Sequence, residues 1–125
     1  IYPSNPLTKN NYAMRLALAN IDLAKAEKLI NEVIDSKGSQ APYHDTKGLV
    51  LFRQQKFKQA LEQFTIADEL NKENKNYVEH MGDAFFKLGD ATKALELWKK
   101  ALSLGSKNKS LSKKIQSKTY VDPEY

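Results

Sequence analysis

The chain has no cysteine among its 125 residues. That excludes disulfides, thiolate nucleophiles and thiolate metal sites, although it leaves the redox compartment open, since cysteine-free proteins occur in reducing and oxidising ones alike. Glycine and proline are scarce, at 5 and 4 residues, and no apolar run approaches the roughly 20 residues that a membrane-crossing helix needs. Arginine occurs only as Arg15 and Arg53 and histidine only as His44 and His80. Gly-rich phosphate loops, Ser-His-Asp patterns and zinc-ligand spacings are missing, so no stretch asks for a catalyst or a cofactor.

What is present is lysine. Basic residues outnumber acidic ones by 20 to 15, a net charge of +5. The excess is concentrated at the end, where Lys107, Lys109, Lys113, Lys114 and Lys118 face only Asp122 and Glu124, leaving +2 for everything before. Nucleic-acid readers carry an Arg-containing basic face with base-reading groups interleaved. Two arginines do not make one, and the final lysines read as the solvated face of a helix. His80 has Glu79 and Asp83 one and three positions away, enough for two ligands to a divalent cation, yet no second histidine stands one turn along. No metal site is expected, and His44-Asp45 lacks a neighbouring nucleophile.

Apolar periodicity organises the rest. Pro3 and Pro6 mark residues 1–6 as a linker. Helical patterns then follow over about Leu7 to Ala19, Leu23 to Ile34, Ala41 to Arg53, Phe57 to Leu70, Tyr77 to Lys87 and Ala91 to Leu102. The breaks fall at Asn20-Ile21-Asp22, Gly38, Gln54-Gln55-Lys56, Asn71 to Asn74 and Leu88-Gly89-Asp90. A shorter pattern with Leu111 and Ile115 predicts a seventh helix, about Lys107 to Lys118, presenting Lys and Ser outward. Shifting the chain by 34 residues superposes Gly48 on Gly82, Ala60 on Ala94, Phe64 on Trp98 and Ala67 on Ala101. The repeating unit is a helical hairpin with small residues where its helices approach, and Trp98, Phe64 and Met81 fall on buried positions.

A 34-residue period of paired helices resembles the tetratricopeptide repeat. Val78, Met81, Gly82, Phe85, Ala94, Trp98 and Ala101 meet its pattern in the third repeat. The second supplies Gly48, Leu51, Ala60, Phe64 and Ala67, but places His44 and Lys47 at apolar positions. The first supplies Ala17, Ala26, Ile30 and Val33, with Asn10 at an apolar position and Met14 at a small one. The resemblance implies an all-α, right-handed solenoid: a linker over 1–6, repeats over 7–40, 41–74 and 75–106, a capping helix over 107–118 and a tail over 119–125. The wording Asp45-Thr46-Lys47-Gly48, Glu79-His80-Met81-Gly82-Asp83 and Leu97-Trp98-Lys99-Lys100-Ala101 is similar to C-terminal repeat arrays of bacterial proteins, many of them envelope lipoproteins.

The family resemblance implies an interaction scaffold or adaptor whose first helices line a concave, peptide-receiving groove. Carried onto this sequence, the groove residues are Tyr12, Arg15, Asp45, Leu49, Phe52, Arg53, Glu79, Asp83, Phe86 and Lys87. The family's carboxylate clamp would require cationic or amide side chains where Asn11, Arg15, Thr46, Asn76 and His80 stand; only Arg15 is a fixed cation, so that clamp is not expected. The alternative reading is an anionic surface, lipid headgroups or nucleic acid, meeting the lysines of the last helix. With no initiator Met, the chain reads as part of a longer bacterial protein, and Tyr12, Leu16 and Ala19 at an uncapped first repeat predict self-association there.

Overall fold

A computed structural model describes residues 5–122. Seven α-helices make up the regular structure of the described residues: α1 (Pro6–Ala19), α2 (Leu23–Lys37), α3 (Ala41–Arg53), α4 (Phe57–Leu70), α5 (Lys75–Lys87), α6 (Ala91–Ser103) and α7 (Lys109–Ser117). No strand occurs among the described residues, and no described helix is long and apolar enough to cross a membrane. Helices α1/α2, α3/α4 and α5/α6 pack as hairpins, and each hairpin packs on the next. Residues 1–4 and 123–125, including most of the expected linker and the end of the tail, lie outside the described residues.

Helix starts follow from side-chain chemistry. Asn5, Asp22, Asn74, Asp90 and Asn108 each turn a side-chain oxygen onto a free amide of the first turn. Pro42 occupies the first turn of α3, where its missing amide costs nothing. The starts repeat: Leu23, Phe57 and Ala91 open the second helices, and Ala41, Lys75 and Lys109 open first helices, each at the 34-residue interval. Helix α7 therefore stands in register as the first helix of a fourth hairpin, two residues shorter at its start than the lysine run suggested.

Within each hairpin, a glycine admits a ring. A Cβ on Gly48 would come within 2.4 Å of the Phe64 ring, and one on Gly82 within 2.7 Å of Trp98. Ala60, Ala67, Ala94 and Ala101 are fully buried around those rings. One core cluster lies between α1, α2 and α3, around Leu29, Ile30 and Val50; others centre on Phe64 and on Trp98.

Two of the three polar residues at apolar repeat positions, Asn10 and His44, are buried too, and Lys47 is half-buried. His44 Nδ1–H donates to Gln63 Oε1 at 2.8 Å. Asn10 is buried, and its Oδ1 meets no donor among the described residues. Replacing a buried amide that lacks a partner by an apolar side chain of similar volume removes a desolvation cost. Asn10→Leu is expected to stabilise the chain by about 1 kcal/mol in a urea melt; a loss of stability would show that this oxygen is satisfied.

Candidate functional site

The first helices of the hairpins, α1, α3 and α5, pack side by side, and two features of the sequence meet on the face they share: acidic residues of α5 and the segment after α7. Glu79 and Asp83 lie one turn apart on the side of α5 that faces α7. Between them enters Lys114, whose Nζ donates to Glu79 Oε2 at 2.9 Å and to Asp83 Oδ1 at 2.8 Å. Its side chain is only 1% exposed. Asp83 Oδ1 also accepts from Trp98 Nε1–H at 2.9 Å, and Glu79 Oε2 from Asn108 Nδ2 at 2.8 Å. Asn108 is itself the N-cap of α7, so the residue that starts this helix also ties it to α5.

This is the main departure from the sequence reading of α7. Lys107, Lys109, Lys113 and Lys118 are exposed as expected, but Lys114 and Ser110 are buried. The helix turns one lysine inward because two carboxylates one turn apart require a cation between them.

Next to this pair of carboxylates, His80 Nδ1–H donates to Asp45 Oδ1 at 2.7 Å, and its ring tilts against Phe64. Burial alone disfavours the imidazolium, but Asp45, and at greater range Asp83 and Glu79, hold its pKa above the ordinary 6.5. Burial pushes the Asp83 carboxyl up, opposed by Lys114 and His80. Burial likewise disfavours the Lys114 ammonium, yet Asp83 and Glu79 outweigh it and raise its pKa. The folded pKa of His80 exceeds the unfolded one, so its stabilisation is complete below about pH 6.5 and is lost as pH rises through the folded value. The urea midpoint should fall over that window, and His80→Gln should flatten the fall; an unchanged slope in the variant would assign it to another group.

Beyond α7, Lys118 adopts a left-handed conformation (φ 56°) that ends the helix. The chain then turns back across the ends of α3 and α5. Tyr120 packs on Phe52 with ring centroids 5.4 Å apart. The ammonium groups of Lys87 and Lys114 stand 4.7 Å and 5.2 Å from the Tyr120 ring. Asp122 Oδ1 accepts from Arg53 Nη1 at 3.1 Å. Arg53 is held from behind, since Nε and Nη2 donate to the carbonyls of Ala17 and Leu18 at 2.9 Å and 3.0 Å. Those carbonyls belong to the last turn of α1, where helical partners run out. Beneath the tail remains a void of about 30 Å³, bordered by Leu49, His80, Asp83 and Tyr120, room for about one water.

The expected groove residues fall into three settings. Phe52, Arg53 and Lys87 converge on the tail. Asp45, Glu79 and Asp83 are buried and face His80 or Lys114, with Leu49 half-buried beside them. Tyr12, Arg15 and Phe86 stand apart: Arg15 is exposed, Tyr12 has the Lys25 ammonium 5.1 Å from its ring centroid, and Phe86 leans on Trp98 at 5.8 Å. Sequence reasoning missed Lys114, Tyr120 and Asp122. The available signal was the repeat register, which places Lys114 of a fourth first-helix opposite Glu79 and Asp83 of the third.

No protein-family model matches the chain, and no curated protein matches it by sequence. Solved structures do match. The first TPR of Spaghetti (RPAP3), bound to the HSP90 peptide SRMEEVD, superposes with a TM-score of 0.78 over 94% of this chain and 93% of its own, at 16% identity. The Sgt2 TPR domain from Aspergillus fumigatus gives 0.79 over 93% and 78%, at 14% identity. PcrH in complex with the chaperone binding region of PopB gives 0.74 over 94% and 97%, also at 14% identity.

Proposed function

We propose that this chain, which has the tetratricopeptide-repeat fold, is a protein-interaction module whose concave face receives a peptide segment of a partner. The observation that carries this reading is the tail itself: the inner face already holds a polypeptide stretch, residues 119–122, through an aromatic stack and a charge-assisted hydrogen bond. Structures of similar fold support it, since one holds an HSP90 peptide and another the chaperone binding region of PopB. The partner chemistry differs from that of a carboxylate clamp. Thr46 is buried and His80 is engaged by Asp45, leaving Arg15 as the one fixed cation at the clamp positions. The chain acts by binding, with no catalysis assigned to it. Its place in a larger protein of a bacterial envelope rests on the likeness of the wording at residues 45–48, 79–83 and 97–101.

The test is capture from native bacterial extract on the immobilised chain, with partners identified by mass spectrometry. One variant reverses the two exposed groove cations, Arg15→Glu/Lys87→Glu; a second neutralises the exposed α7 lysines at 107, 109, 113 and 118. A defined protein lost only by the groove variant, and retained at high salt, supports the reading. Loss confined to the α7 variant and steep with salt would instead make the surface a binder of anionic headgroups or nucleic acid.

A further inference from the structure

We propose that residues 119–122 are a displaceable strap over the inner face, and that the site beneath them selects partner peptides with an aromatic residue two positions before an aspartate or glutamate. This deepens the interaction-module reading and rests on it. Three observations lead there.

The first is spatial. With the strap in place, the void under it measures about 30 Å³; a cleft of about 150 Å³ beside it borders Phe52, Arg53, Lys87, Tyr120 and Asp122, yet Phe52 is only 7% exposed, so a partner ring packs on the Phe52 face only if Tyr120 leaves. The second is that the receiving groups are fixed by the fold and not by the strap. Arg53 is locked by the α1 carbonyls of Ala17 and Leu18 with Nη1 aimed outward. Phe52 is braced edge-on by Phe57 at 5.2 Å, and the Lys87 ammonium stands 5.9 Å from the Phe57 ring. A planar fork held in advance loses little freedom when it meets a carboxylate, which favours that ligand chemistry over others. An aromatic ring between an aromatic face and two ammonium groups is likewise matched to its site.

The third observation is that the strap is held by the side chains of Tyr120 and Asp122 and hardly by its backbone. It has no helical or strand hydrogen bonding beyond the amide of Thr119, which reaches the Lys114 carbonyl at 3.3 Å. Asp122 is 71% exposed, and an ion pair at such a rim is weak because water and salt screen it. Segments with these properties open at low free energy without unfolding the rest. The buried Lys114 contacts keep α7 in place while the strap swings, so opening exposes the site and leaves the solenoid intact.

A peptide in solution competes with a strap at an effective concentration on the order of millimolar, and its apparent affinity falls by the fraction of time the site is open. The probe is a fluorescein-labelled, amidated peptide of residues 118–122, titrated into the full chain and into the full-length Tyr120→Ser/Asp122→Asn variant. The variant is expected to bind it about tenfold more tightly than the unmodified chain. Peptides with alanine at the tyrosine position or asparagine at the aspartate position should each lose most of that binding. Equal affinity for both chains, or indifference to the peptide's tyrosine and aspartate, would overturn the proposal. Should circular dichroism show the double variant unfolded, Asp122→Asn alone serves, since its carboxylate is exposed; it should bind about threefold more tightly, and no gain there overturns the strap. Sedimentation that shows a dimer converting to monomer in the Tyr120→Ser/Asp122→Asn chain would assign the strap to a second copy and overturn the intramolecular form. Failure of these titrations, with partner capture still dependent on Arg15 and Lys87, rejects the strap and leaves the interaction module standing.

Discussion

Lys114→Met is expected to cost about 3–5 kcal/mol of folding stability, the range found when one member of a buried charge set is removed. Methionine keeps the length and apolar stem that lie near Trp98 and Tyr120, so packing changes little. What changes is charge: Glu79 and Asp83, 3% and 10% exposed, would face one another without the ammonium between them. Most small domains hold only about 5–15 kcal/mol in total, so the loss would be visible as a large drop in the urea midpoint at neutral pH. Two controls make the cause specific. Because burial already holds the Asp83 carboxyl above its ordinary pKa, lowering the pH should protonate it and return part of the lost stability. Adding Glu79→Gln and Asp83→Asn to the methionine variant should recover most of the rest, since neutral amides no longer need a cation. A cost below about 1 kcal/mol would mean that water reaches these carboxylates.

Trp98→Ala should be comparably severe, about 3–5 kcal/mol for truncating a large buried aromatic. The ring is fully buried, fits against Gly82 and donates its Nε1–H to Asp83. Alanine would therefore open a cavity and also remove one of the two donors to a buried carboxylate oxygen. Trp98→Phe separates these losses: it refills most of the space but cannot donate, so it should recover more than half of the stability. Combining Trp98→Ala with Lys114→Met should be far from additive, because both mutations act on Asp83.

The repeat architecture was legible because it rests on side-chain size at fixed intervals. Gly48 with Phe64 and Gly82 with Trp98 are read directly as a hole and the ring that fills it, and the described structure places both pairs in contact. Charge was less legible. Glu79 and Asp83 have the same spelling whether they face a partner or a buried lysine, and Lys114 sits among four other lysines whose surroundings are wet. Only the register distinguishes it, by bringing position 114 opposite α5. Tyr120 and Asp122 were harder still, because a non-periodic segment gives no face to compute. Asn10 and His44 illustrate a third limit: they break the apolar pattern, yet the fold buries them regardless, His44 with Gln63 and Asn10 without a donor for its oxygen.

The Arg53 guanidinium has a consequence for how the chain unfolds. A solenoid built of stacked hairpins is nearly one-dimensional, each unit held only by its neighbours, so its ends fray and its stability is a sum of local terms. Arg53 interrupts that arrangement. It joins the last turn of α1 to Asp122, a residue 69 positions beyond Arg53 itself, with the second hairpin supplying the link. Such a chord turns an open stack into a loop for as long as the strap is down, and the stack alone remains when the strap lifts. Amide exchange at the end of α1 and in residues 119–122 should then quicken together when Asp122 is neutralised, while α7 keeps the protection that Lys114 gives it.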